Sequence, residues 1–152
     1  MTPEDKLAAL GHALSAPPAP AANYVPVTRA GNQLFVSGQI STGPDGLVKG
    51  HLGRELDTGA GQKAAALCAV NILAQIKFSA GVDLSKVRLL KLTVLVASVP
   101  DFSEQHLVAN GASNLFVEVL GEAGRHARAA FGVAALPLGA AVEIEAVAEI
   151  RE

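Results

Sequence analysis

The chain has 152 residues, 50% of them apolar and 17% charged, with 12 Lys and Arg against 14 Asp and Glu for a formal net charge of -2. That balance excludes a disordered segment, and it lacks the basic excess of a dedicated nucleic-acid binder. A single cysteine, Cys68, excludes an intrachain disulfide and fits a reducing compartment.

Thr2-Pro3-Glu4-Asp5 predicts a helix start, with Thr2 as cap, Pro3 in the first helical position and Asp5 as capping-box partner. The helix is expected to run to about Leu14, where Pro17-Pro18-Ala19-Pro20 ends it in a stiff connector. This acidic opening carries no basic region ahead of an apolar stretch, so the expected location is the cytoplasm. Tyr24 to Thr28 and Gln33 to Ser41 read as two strands around the turn Ala30-Gly31-Asn32, and Gly43-Pro44-Asp45-Gly46 as a second turn.

Thr58 to Ser79 is the longest helical segment, with Gly81 as its stop. Its apolar residues form no single stripe, which predicts burial on more than one side. Val87 to Ala97 is apolar on both alternating faces, as a central strand would be. A helix is expected from about Asp101 to Leu120, where Val108, Ala112, Leu115, Phe116 and Val119 recur at helical spacing. Two strands close the chain, about Ala127 to Ala134 and Ala141 to Ile150, joined by Leu136-Pro137-Leu138-Gly139. The last alternates Val142, Ile144, Ala146 and Ala148 against Glu143, Glu145, Val147 and Glu149.

The expected architecture is one α+β domain over residues 1–152, of which 1–20 form the N-terminal helix and Pro-rich connector. Two helices would pack on one face of a mixed sheet, leaving the other face for a second copy of the chain. The apolar run Ala129 to Val142 is too short and too broken by Gly132, Pro137 and Gly139 to span a bilayer, so no membrane partner is expected.

Motif by motif, most chemistry drops out. His12, His51, His106 and His126 show no i, i+4 pairing and no completing Cys or carboxylate cluster, so surface or hydrogen-bonded roles are favoured over metal ligation. Cys68 lies in an apolar run and reads as core. No Gly-x-Ser-x-Gly elbow, phosphate loop or dinucleotide fingerprint is present, and no cofactor is expected. Unusual charges on apolar strands remain. Arg128, flanked by small residues, either offers its fork of donors to a carboxylate or pairs with a strand glutamate. Glu143 either serves the same site or belongs to a solvated strand face. If the Leu136–Gly139 turn closed a simple antiparallel hairpin, Arg128 would pair near Val147, roughly 13 Å from Glu143, and a neighbouring subunit could equally complete the site.

Tyr24, Ser37-Gly38-Gln39-Ile40, Asn110, Arg128 in Ala-Arg-x-x-x-x-Val, Leu136-Pro137 and Val142-Glu143-Ile144-Glu145-Ala146 together resemble the RidA/YjgF family, often labelled endoribonuclease L-PSP. The resemblance covers about Tyr24 to Glu149. Asn110-Gly111-Ala112-Ser113 and Gly121 to Arg128 look like a longer branch with an N-terminal helical extension. The resemblance implies a chorismate-mutase-like fold, a homotrimer with clefts between subunits, and cofactor-independent hydrolysis of 2-imino or enamine acids to 2-keto acids and ammonia. It places the carboxylate-binding and water-handling roles on Arg128 and Glu143, and substrate contacts on Tyr24, Gly38, Asn110 and Ala130. Ala129 and Ala130 stand where deaminase members commonly carry Ser and Cys, a departure that bears on substrate identity. The alternatives are a non-catalytic trimer binding a small carboxylate and an endoribonuclease, the latter opposed by the acidic balance and the lack of a paired-His constellation.

Overall fold

A computed structural model describes residues 1–20 and 22–152. Helix α1 (Pro3–Ala9) opens with the expected capping box, Thr2 and Asp5 each bonding the other's backbone N–H. It is shorter than the sequence predicts. Gly11 adopts φ +85°, its N–H bonds the Ala8 carbonyl, and the His12 N–H reaches the Leu7 carbonyl. That paired closure ends the helix well before Leu14.

Strands β1 (Val27–Ala30) and β2 (Gln33–Ile40) form a hairpin, and the two-residue strands β3 (Thr42–Gly43) and β4 (Gly46–Leu47) flank the second turn. Tyr24 lies ahead of β1 rather than in it. Helix α2 (Thr58–Ala74) continues as a π-helical turn at Gln75–Ser79. Strand β5 (Val87–Ala97), helix α3 (Gln105–Leu120), and strands β6 (Ala127–Val133) and β7 (Val142–Ile150) complete the chain. Helix α3 begins four residues later than expected, at Gln105.

The five long strands form one sheet in the order β1-β2-β7-β5-β6. All pairings are antiparallel except β5 with β6. This overturns the hairpin reading of the Leu136–Gly139 turn. β7 does not return beside β6; β5 lies between them, and the turn is a crossing at the sheet's end.

Both long helices pack on one face of the sheet. Leu34, Val36, Leu92, Val94, Val96, Ile144, Ala146 and Ala148 supply that face, and Ala64, Ala65, Cys68, Ile72, Leu73, Ala112, Phe116 and Val119 meet it from the helices. The helix contact is close because side chains are missing where it needs them to be. A Cβ on Gly111 would collide with the Gln62 backbone carbonyl. The opposite sheet face carries Phe35 and Phe131, 42% and 46% exposed, beside Glu143 and Glu145. Large apolar side chains left in water on a strand face are unfavourable by roughly 1.5–3 kcal/mol each relative to burial, so this face invites a cover. Among the described residues no helix is long and apolar enough to cross a membrane.

Candidate functional site

The parity of the register separates the two charges singled out in the sequence. Arg128 aligns with Leu92 on β5, and Leu92 is fully buried on the helix face. Glu143 aligns with Leu95, an odd step of three residues away, and alternates with the buried Val142 and Ile144. Arg128 therefore leaves the sheet on the helix side and Glu143 on the open side. Their backbones stand about 10 Å apart along the strands and about 10 Å apart across them. No single copy brings both to one point.

On the helix side, β6 is the edge strand, and Arg128 reaches past it to α3. Its Nη1 donates to Asn110 Oδ1 at 2.9 Å and to Ser113 Oγ at 3.2 Å, and its Nη2 donates to the His106 carbonyl at 3.2 Å. His106, Asn110 and Ser113 lie at i, i+4 and i+7, one stripe of the helix. The reading of Arg128 as the partner of a strand glutamate is overturned: all three acceptors are neutral, so the guanidinium keeps its full charge. Among the described residues Nε–H and one of the two Nη2–H have no acceptor. The residue is exposed to solvent, and these donors are left for a ligand. Ala130 follows two positions along on the same face, against the core.

Behind this arginine is a pair the sequence did not assign. The His126 Nδ1 lies 2.6 Å from the Gly124 carbonyl, which can only accept, so the neutral ring carries its proton there. Nε2 is then the acceptor for the Ser113 hydroxyl at 2.8 Å. Burial, together with the nearby Arg128 charge, lowers the His126 pKa from its ordinary value despite the opposing bond to Gly124. The only signals in the sequence were the Asn-Gly-Ala-Ser and His-Ala-Arg segments, whose side chains meet only once β6 is laid beside β5.

On the open side, β2 carries a bulge. Val36 pairs with Ala146 and Gln39 with Ile144, so Ser37 and Gly38 face Glu145 alone. Glu143 folds across this bulge with its Oε2 in the space a Gly38 side chain would take. Half-burial, and then repulsion from Glu145, raise its pKa above the ordinary carboxylate value. The bulge is held from behind: Gln75, in the π-turn, donates to Gln39 Oε1 at 3.3 Å, and Gln39 Nε2 donates to the Ser37 carbonyl at 3.2 Å. Pro26, two residues after Tyr24, accepts the Ser37 N–H, which keeps the exposed Tyr24 near the same bulge. The six sequence-predicted site residues thus fall into two groups, Tyr24, Gly38 and Glu143 on one side and Asn110, Arg128 and Ala130 on the other.

The remaining candidates are structural. His51 Nε2 lies 2.7 Å from the Ala134 carbonyl at the end of β6, and Arg54 donates to its Nδ1. Cys68 is fully buried with its thiol directed at the Val142 carbonyl, and burial pushes its pKa well up. Among the described residues no group of three or more His, Cys, Asp or Glu is arranged to hold a metal.

The family model described as "Endoribonuclease L-PSP" matches residues 14–150. Protein TCP17 of Trypanosoma cruzi is 49% identical over 145 residues, 93% of this chain and 90% of that one. The 2-iminobutanoate/2-iminopropanoate deaminase of Rattus norvegicus is 34% identical over 133 residues, covering 86% of this chain and 82% of its own. Among solved structures, Atu1372 of Agrobacterium tumefaciens, a protein described as of unknown function, superposes with a TM-score of 0.91 at 55% identity, covering 99% of this chain and 94% of that one. With its mixed sheet, paired helices and matched length, the chain belongs to the RidA/YjgF family.

Proposed function

We propose that this protein hydrolyses 2-imino acids, or their enamine tautomers, to 2-keto acids and ammonia without a cofactor, in clefts between the subunits of a homotrimer. The observation that carries the reading is Arg128: a guanidinium held by three neutral acceptors, with Nε–H and one Nη2–H left without partners among the described residues. Two such donors on a charged group suit the oxygens of a carboxylate. The naming of relatives as 2-iminobutanoate/2-iminopropanoate deaminases supplies the substrate class.

In this reading Arg128 of one subunit holds the substrate carboxylate and so orients the adjacent imine carbon. The neighbouring subunit presents Glu143 from its open sheet face, which covers the exposed Phe35 and Phe131 in the same contact. Glu143 positions a water against the imine carbon, takes its proton as the C–O bond forms, and returns that proton to nitrogen. The carbinolamine then loses ammonia and leaves the ketone. A carboxylate whose pKa is raised serves this exchange better than an ordinary one, because it is the stronger base toward the water and its protonated form is more populated near neutrality. Tyr24 lines the pocket, the Gly38 and Ala130 backbones contact the substrate, and Asn110 both holds Arg128 and borders the cleft. The small side chain of Ala130 leaves the floor beside Arg128 wide.

The test is turnover of 2-iminopropanoate and 2-iminobutanoate generated in situ. Wild type is expected to accelerate their disappearance, and Arg128→Ala to lose at least about 30-fold in kcat/KM, as for removal of a charged hydrogen-bonded anchor. Equal rates with and without the arginine remove the proposal.

A further inference from the structure

Two segments, Asn110–Ser113 on α3 and Gly124–Arg128 leading into β6, carry a hydrogen-bond chain for which the reaction above has no use. It runs from the Gly124 carbonyl through His126 to the Ser113 hydroxyl and ends on Arg128 Nη1, with distances of 2.6, 2.8 and 3.2 Å. We propose that Ser113 and His126 are positioning residues for anion capture: they lock the Nη1 end of Arg128 against α3, so that the arginine meets a planar monocarboxylate with the donors left free on Nε and Nη2. The inference rests on the reading of Arg128 as the carboxylate anchor.

The direction of the chain matters. A serine hydroxyl alone can turn its proton toward any acceptor. The bare Nε2 of neutral His126 draws that proton away from Arg128, so the oxygen presents lone-pair density to Nη1. His126 is itself held on two sides, by the Gly124 carbonyl and by an edge-on contact with the Phe116 ring, with centroids 6.1 Å apart at 74°. The burial and neighbouring charge that keep the imidazole neutral preserve this polarity. Asn110 and the His106 carbonyl complete a three-point clamp that contains no carboxylate. A long flexible side chain on an edge strand is thereby aimed without its charge being neutralised, and the ordering cost is met before a ligand arrives.

The experiment uses the intact protein, labelled with 15N-arginine, beside Ser113→Ala, Ser113→Thr, His126→Ala and His126→Gln. In ligand-free wild type the Arg128 Nη resonances are expected to be resolved by hindered rotation. They should average in Ser113→Ala and be restored by Ser113→Thr, which keeps the hydroxyl, and by His126→Gln, whose amide oxygen replaces Nε2 as acceptor. Titration with 2-oxobutanoate should show affinity about tenfold weaker in Ser113→Ala and His126→Ala, with kcat at saturating imino acid moved by less than about threefold. Resolved Nη resonances that persist in Ser113→Ala, or averaged ones in wild type, overturn the proposal whether or not imines are turned over. A wild type with resolved resonances and serine-dependent 2-oxobutanoate binding but no imine turnover upholds the clamp and rejects the deaminase reading instead.

Discussion

The Glu143 carboxylate lies folded over Gly38, so closely that a Cβ at position 38 would stand 2.5 Å from Oε2 and 2.9 Å from Cδ. The glycine is needed by the charge rather than by the backbone. Gly38→Ala should therefore swing Glu143 aside at little cost to folding, under about 1 kcal/mol, because the colliding atoms end a flexible side chain. Imine turnover should drop at least about tenfold, since a displacement near 1 Å at a reacting group is enough for that. Thermal unfolding and kinetics on the same preparation check both halves; a large Tm loss or unchanged turnover contradicts the account.

Glu143→Gln keeps the shape of the side chain and removes its proton chemistry. Turnover is expected to fall by about a hundredfold or more, in the range of lost general acid–base catalysis. Since half-burial and Glu145 raise the Glu143 pKa, the acid limb of the wild-type profile should lie above the ordinary value of 4.5, with activity rising as pH increases through it. The limb should vanish in Glu143→Gln, and a limb at 4.5 or below would count against Glu143 as the base.

Arg128 and Glu143 leave opposite faces of the sheet, so the proposed reaction requires one from each of two copies. Arg128→Ala and Glu143→Gln should each be strongly impaired alone, yet regain activity when co-expressed in equal amounts. With random assembly of a ring, about one quarter of the clefts receive an intact arginine and an intact glutamate. Recovery near zero in well-assembled mixtures would show that both residues serve within one chain.

His126 is half-buried and its pKa is depressed below the ordinary 6.5, first by burial. The unfolded chain then binds a proton below 6.5 that the folded one resists. The stabilising effect is complete above 6.5 and is lost as pH falls from there through the lowered folded value. Between about pH 7 and about pH 5.5 the wild-type Tm should decline more than that of His126→Gln, which cannot take up this proton. Parallel curves for the two proteins would rule out a depressed value.

By itself the sequence determined what local patterns can encode. The alternation from Val142 to Ile150 placed its apolar residues on the core face, the Val- and Leu-rich run at Val87–Ala97 became the inner strand, and Thr2, Pro3 and Asp5 announced the first cap. The family resemblance, borne by Arg128 in its motif and by Val142 to Ala146, likewise needed no coordinates. Helix length failed where one glycine decided it, since Gly11 closes α1 with a left-handed turn that the apolar pattern cannot reveal. What only the tertiary structure decided was how the site is divided. The turn at Leu136–Gly139 reads like a hairpin, but burying both flanks of β5 sets that strand between β6 and β7, and the odd register step between Leu92 and Leu95 sends Arg128 and Glu143 to opposite faces. The same pairing lays His126 beside Ser113, 13 residues away in the chain. Strand order and register are set by long-range burial, where the energy is non-directional and summed over the whole sheet. For that reason a local reading finds the strands but not which residues they bring together.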